Sequence, residues 1–223
     1  MKAILSVYDK TGVIELGKSL SDSGLEIIST GGTYKQLSDS NIKVTAVKEV
    51  TDFPEILDGR VKTLHPKIYG GILARRNNEN DMAQLSDHAI STIDLVAVNL
   101  YPFSQTISNP QCTLDDALEN IDIGGPSMLR AAAKNFKDVI VIVDPKDYDK
   151  VAATIAENGY HGIDLHYRKY LAQKAFIHVS EYDSIISNYL NENHTFSLES
   201  FANNLDKVST LRYGENPLSL IHI

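Results

Sequence analysis

The sequence predicts an α/β protein with a parallel sheet held between layers of helices. Two observations carry this. Short apolar, β-prone runs recur through the first two thirds of the chain, and stretches of helical periodicity separate them. The runs are mostly continuous in hydrophobicity rather than alternating, as strands buried on both faces must be. With 223 residues and 43% hydrophobic content, the chain has material for one large domain and a little more.

The first run covers residues 3–7, and behind it Val13, Ile14, Leu16, Gly17 and Leu20 share one face at helical spacing. Further runs lie at 25–28, 44–47, 95–100 and 139–143. Before the last of them, residues 128–134 are built almost wholly from strong helix formers. After it, Pro145 suits a first helical position with Asp144 as the cap. From 164 to 190, Leu171, Ala175, Val179, Tyr182, Ile186 and Tyr189 trace a stripe at i, i+3/i+4 spacing, which predicts one long amphipathic helix. Residues 191–204 are polar and read as a linker. The expected division is therefore 1–145 for the α/β domain, 146–200 for a helical extension and 201–223 for a C-terminal segment.

A formal charge of −8 argues against a nucleic-acid or anionic-membrane binder, since both need surplus Lys and Arg. The single cysteine, Cys112, excludes an internal disulfide and suits a reducing compartment. No base lies beside it in sequence, so it reads as a loop residue rather than a nucleophile. The N-terminus is apolar only as far as Val7, too short for a signal sequence, and no run approaches the ~20 apolar residues of a membrane span. A cytoplasmic protein is expected.

Ligands of open α/β sheets bind at the carboxyl ends of strands, so the residues just beyond each run are the ones to read. After the first come Ser6, Tyr8, Lys10, Thr11 and Gly12, and after the second Ser29, Thr30, Gly31, Gly32 and Thr33, each leading into a helix. Glycine lets backbone N–H groups approach an anion, hydroxyls add donors, and a helix N-terminus adds partial positive charge. Either turn alone fits an ordinary N-cap; together they suggest a phosphate cradle. The segment 58–67 concentrates Arg60, Lys62 and Lys67 in an otherwise acidic chain, with Arg60 and Lys62 on one side if it is extended. It is either a solvated loop or the source of a lysine that neutralises an oxyanion or a phosphate. His65 precedes Pro66, which biases it toward an extended, structural role. Asn99 and Tyr101 put an amide and a phenol at the sheet's edge. Asp122 precedes Gly124, Gly125 and a helix start, which is either a plain cap or an anion-binding terminus. Lys134, near the end of that helix, suits the negative end of its dipole. Spacing leaves open whether it reaches Asp122.

These five segments, in this order, resemble the N-terminal domain of the bifunctional enzyme that carries AICAR transformylase and IMP cyclohydrolase. The resemblance runs from Met1 to about Pro217 and is most specific in the strings at 60–66, 121–125 and 129–135. It implies a methylglyoxal-synthase-like fold of three layers and closure of formyl-AICAR to IMP with loss of water. It also implies that Ser6, Lys10, Thr11, Ser29, Gly31, Gly32 and Thr33 hold the 5′-phosphate. Arg60, Thr63 and Asn99 would meet the base and ribose. The chemistry would fall to Lys62, Tyr101, Asp122, Gly124 and Lys134, with Lys134 steering Asp122. The implied partners are a purine nucleotide monophosphate and, as in the family, a second copy of the chain. No metal or cofactor is implied for ring closure; 10-formyltetrahydrofolate belongs to the transformylase activity.

Two features depart from the family pattern. Tyr8 stands where a small hydroxylic residue is expected, which would reshape one edge of the cradle. Residues 211–217 resemble the entrance to the transformylase domain, but the chain ends at Ile223 on a tail that fits no continuation of the family. The expectation is a fragment without formyl transfer and with weakened dimerisation. The same phosphate turns would also serve a methylglyoxal synthase or a regulatory nucleotide-binding domain, neither of which needs Lys62, Tyr101 and Asp122 together.

Overall fold

The computed structural model describes residues 1–191. The expected linker, apart from its first residue, and the segment 201–223 lie outside them. Five strands, β1 (Lys2–Val7), β2 (Glu26–Ser29), β3 (Val44–Ala46), β4 (Leu95–Asn99) and β5 (Ile140–Ile142), pair in parallel in the order β3-β2-β1-β4-β5. Each lies within one residue of its predicted run at either end. Burial explains this accuracy. Every residue of β4 and β5 is buried, so their runs are unbroken in the sequence.

Ten α-helices are present among the described residues: α1 (Val13–Asp22), α2 (Gly31–Asp39), α3 (Val47–Thr51), α4 (Pro66–Leu73), α5 (Glu79–Asp87), α6 (Phe103–Ile107), α7 (Leu114–Glu119), α8 (Gly124–Lys134), α9 (Tyr148–Asn158) and α10 (Leu165–Tyr189). From β1 the chain steps to β2 and β3 on one side, then returns to place β4 and β5 on the other. Right-handed crossovers in opposite directions put α1 and α2 on one face and α8 on the other. The packing agrees: α1 meets α2 and α9, whereas α8 packs on β4, α4 and α10. This is the three-layer, methylglyoxal-synthase-like arrangement expected from the sequence. Where the run 44–47 suggests a strand through Val47, the strand stops at Ala46 and α3 begins.

The long helix is present as predicted. Asp164 caps α10 by accepting the Tyr167 N–H at 2.7 Å. Leu171, Ala175, Val179 and Tyr182 are buried, and Ile186 and Tyr189 pack on the core's edge. Among the described residues no helix is long and apolar enough to cross a membrane.

One backbone approach fixes α4. The Gly71 carbonyl accepts the Ile93 N–H at 2.9 Å, just before β4. A Cβ on Gly71 would stand 2.5 Å from the Ser91 carbonyl oxygen and 3.2 Å from the Ile93 side chain. Backbone cannot yield as a side-chain tip can, so Gly71→Ala should destabilise the domain by about 1–3 kcal/mol. The check is the urea midpoint at constant m; an unchanged midpoint would show that the approach is not tight.

Candidate active site

Because β2 and β4 flank β1 on opposite sides, helices leave the sheet in opposite directions there and a crevice opens at the strands' carboxyl ends. A cleft of about 710 Å³ occupies this position. It gathers residues from all five turns read in the sequence: Ser6 and Lys10, Gly31 to Thr33, Arg60 with Lys62 and Thr63, Asn99 and Tyr101, and Asp122 to Gly125.

One end is a cradle of backbone donors. Asn99, buried at the tip of β4, accepts the N–H groups of Tyr8 and Asp9 on Oδ1 at 2.6 and 2.9 Å and donates from Nδ2 to the Asp9 carbonyl at 3.1 Å. The Lys10 ammonium turns inward to the Val7 carbonyl and to Thr33 Oγ1, the latter at 3.0 Å. Burial pulls its pKa below the usual lysine value, against the opposing pull of Asp9. Thr33 Oγ1 accepts the Val7 N–H at 3.1 Å, which anchors the first turn of α2 to the end of β1. Gly31 opens α2 at φ 55°, a left-handed conformation natural to glycine. Thr30 caps the helix without a side-chain bond, so the first N–H groups of α2 face the cleft unclaimed by it.

The other end is formed by the segment 52–65 and the start of α8. Asp52, Leu57, Asp58 and Gly59 all have positive φ, and an isolated antiparallel bridge joins Ile56 to Val61. Arg60 and Lys62 both line the cleft, but not by the alternation of an extended segment: Arg60 lies in the right-handed helical region at the end of a short 3-10 turn. Each has an acidic neighbour. Arg60 is held by Glu119 of α7, which raises the guanidinium pKa and lowers that of the carboxylate. Lys62 Nζ lies 3.6 Å from Glu55. Thr63 is buried against Gly124, where a Cβ would come within 2.7 Å of its hydroxyl. Asp122 Oδ1 accepts the Gly125 N–H at 2.9 Å, and its own N–H donates to the Tyr182 hydroxyl at 2.7 Å. Tyr101, half-buried, meets the ring of Tyr8 edge-on with centroids 4.5 Å apart.

Several expected residues fall elsewhere. Ser29 is fully buried and donates to the Leu5 carbonyl at 2.6 Å, stapling β2 to β1 away from the cleft. Thr11 is exposed, and its N–H bonds Asp9 Oδ1 at 2.9 Å. Lys134 does not steer Asp122 within this chain. It is exposed in the last turn of α8, and the helix itself puts about 15 Å between it and Gly124. His65 is structural: its Nδ1 accepts the Lys67 N–H at 3.1 Å and caps α4. Tyr8 lines the same cleft as Lys10 and Thr33 and meets the Tyr101 ring edge-on. Three participants lie outside the expected set, namely Glu55, Glu119 and Tyr182. The two glutamates carry no local signal. Tyr182 carries a faint one, because a phenol in an apolar stripe needs a partner for its hydroxyl. Among the described residues no group of three or more His, Cys, Asp or Glu is placed to hold a metal ion.

Comparisons with known proteins bear on the family of the chain. A family model described as an MGS-like domain matches residues 12–127, and one described as the AICARFT/IMPCHase bienzyme matches residues 132–219. A bifunctional purine biosynthesis protein PurH from Oceanobacillus iheyensis is 51% identical over 218 residues, covering 97% of this chain. PurH proteins from Bacillus cereus and a Thermoanaerobacter species are 54% and 52% identical over 217 residues. The chain spans 42% of the length of these relatives. Among solved structures, a crystal structure of ForH superposes with a TM-score of 0.74 at 37% identity, covering 84% of this chain and 96% of that one.

The start of α8 supplies a structural test. A Cβ on Gly125 would stand 2.4 Å from Asp122 Oδ2 and 2.7 Å from a Leu100 methyl. Gly125→Ala should fold, yet turn the Asp122 carboxylate away from the residue-125 N–H. A crystal structure of the variant with that bond intact would contradict the prediction.

Proposed function

The chain belongs to the AICARFT/IMPCHase bienzyme family and carries its MGS-like domain, and on that basis we propose that its cleft closes formyl-AICAR to IMP with loss of water. The observation that carries this reading is the convergence of a phosphate cradle and an oxyanion-stabilising end in one crevice.

The substrate's 5′-phosphate fits the Lys10 end, where the open N–H groups of α2 and a half-buried ammonium offer charge-assisted bonds. The heterocycle then extends past Asn99 toward Lys62, Thr63 and Tyr101, with Arg60 at the rim. In the reaction, the carboxamide nitrogen attacks the formyl carbon of the same molecule, forming a C–N bond and a tetrahedral centre. An amide is a poor nucleophile, so holding the two groups in near-attack geometry contributes much of the acceleration. Negative charge gathers on the former formyl oxygen. The Lys62 ammonium and the Gly124 N–H, which has no partner four residues back in the helix, stabilise it. Asp122 takes the amide proton, which passes to the oxyanion; Tyr101 then protonates that hydroxyl and regains the proton lost from the formamide nitrogen, so that the C–O bond breaks, a C=N bond forms and water leaves. Lys134 takes no part in these steps within one chain. The closure is redox-neutral and transfers no one-carbon unit, so its chemistry calls for neither folate nor metal.

The test is the absorbance change on mixing the purified chain with synthetic formyl-AICAR, without folate or metal. IMP should form, and Lys62→Ala should lower kcat about 100- to 1000-fold, the effect of losing one oxyanion donor. Lys10→Ala should instead raise KM with kcat nearly unchanged, because it binds far from the reacting atoms. IMP binding without turnover in the unmodified chain would favour a nucleotide-binding role and overturn the enzymatic one.

A further inference from the structure

Asp122 sits on a turn with little regular structure of its own. The link between α7 and α8 runs from Asn120 to Ile123, and the nearest support from outside comes from a residue 60 positions away in sequence. Tyr182, on α10, is 6% exposed. Its hydroxyl accepts the Asp122 N–H at 2.7 Å and lies 3.5 Å from the Asn120 carbonyl, so it brackets Ile121 from both sides. The ring also meets Phe103 edge-on at 6.4 Å, and Tyr189, two turns further along α10, meets the same Phe103 at 5.6 Å. Phe103 follows Tyr101 by two residues and is fully buried. One helix therefore supports both turns that carry the expected proton-transfer groups.

We infer that Tyr182 is a positioning residue for Asp122, and that α10 is thereby part of the site rather than a spacer beside it. The inference rests on the cyclohydrolase reading for the role of Asp122. A phenol suits the task. It must accept from one backbone group while its own proton faces another, which only the neutral form can do. Burial pushes its pKa up, so it stays neutral across the physiological range. The bond also joins the two matched segments, since Asp122 lies within 12–127 and Tyr182 within 132–219. The extension beyond the MGS-like segment would then be the part that adapts this cleft to hold a carboxylate in place.

The experiment compares the purified chain with Tyr182→Phe, which keeps the packing and orphans the Asp122 N–H, and with Tyr189→Phe as a control on the same helix. With formyl-AICAR as substrate, Tyr182→Phe should lower kcat about tenfold, as an unsatisfied buried donor permits, with KM within about twofold. Deuterium exchange in the peptide spanning 120–125 should speed up while the strands stay protected, and Tyr189→Phe should change neither. Unchanged kcat and exchange in Tyr182→Phe would overturn the proposal. So would faster exchange throughout the sheet with a lowered Tm, which would mark Tyr182 as an ordinary core residue. If the unmodified chain fails to close formyl-AICAR, the cyclohydrolase reading falls; deuterium exchange in the peptide spanning 120–125 then decides on Tyr182 alone, and no change there sinks it.

Discussion

The side-chain amide of Asn99 is the interaction on which the site's geometry depends. Crossovers leave the sheet in opposite directions at β1 and β4, which opens the crevice just beyond the paired residues Val7 and Asn99. Asn99 ties the turn beyond β1 to the end of β4 with three hydrogen bonds to the backbone of Tyr8 and Asp9. A shorter or purely accepting side chain could not do this, because the turn presents two N–H groups and one carbonyl. With the turn fixed, Lys10 is directed beneath it to Thr33, and Thr33 in turn ties α2 to β1. The proposed phosphate cradle is thus built on one buried amide and one buried threonine.

The same logic explains what the sequence made legible. The five strands are buried on both faces and carry their signal in consecutive residues, so local reading locates them closely. The short helices are another matter. Pro66 and Lys67 read as the tail of a basic loop and residues 68–73 gave no signal, but Pro66 at the first position and His65 as cap begin α4 there. Residues 79–87 and 114–119 are polar helices set by Asn78 and by a Thr113–Asp116 capping box; each buries one residue, and their periodicity is weak. Tertiary placement and capping, rather than an apolar face, decide these elements.

For the site, the legible part is what turns encode locally: glycines beside hydroxyls, a lysine after a strand, an aspartate before a helix. Lys10, Thr33, Lys62, Tyr101 and Asp122 reach one cleft because the fold rule brings those turns together. Ser29 carries the same local signature yet spends its hydroxyl on the Leu5 carbonyl, since its position on β2 points it into the sheet. Lys134 lies on the same helix as the Asp122 turn, but at the far end of a rigid rod. Helical rise, not sequence distance, decides what it can touch. Partners such as Glu119 for Arg60 depend on how α7 folds over the cleft, and no spacing rule encodes that.

The charges at the two ends of the cleft differ in a way that supports one orientation of the proposed substrate. Arg60 and Lys62 stand at an open rim, and each is already neutralised in part by a glutamate. A phosphate dianion placed there would compete with carboxylates that are well solvated. At the other end Lys10 forms no ion pair among the described residues, and Asp9 acts on its charge only through space. Its ammonium bonds a carbonyl and a hydroxyl, and burial has made its charge costly to hold alone. An arriving phosphate would remove that cost and meet the free N–H groups of α2 at the same time. In the proposed reaction the cradle therefore takes the phosphate, and the glutamate-bound pair is left for a neutral heterocycle. Such a group would not compete for the glutamates until charge develops on its oxygen, and at that moment Lys62 would favour the transition state over the ground state.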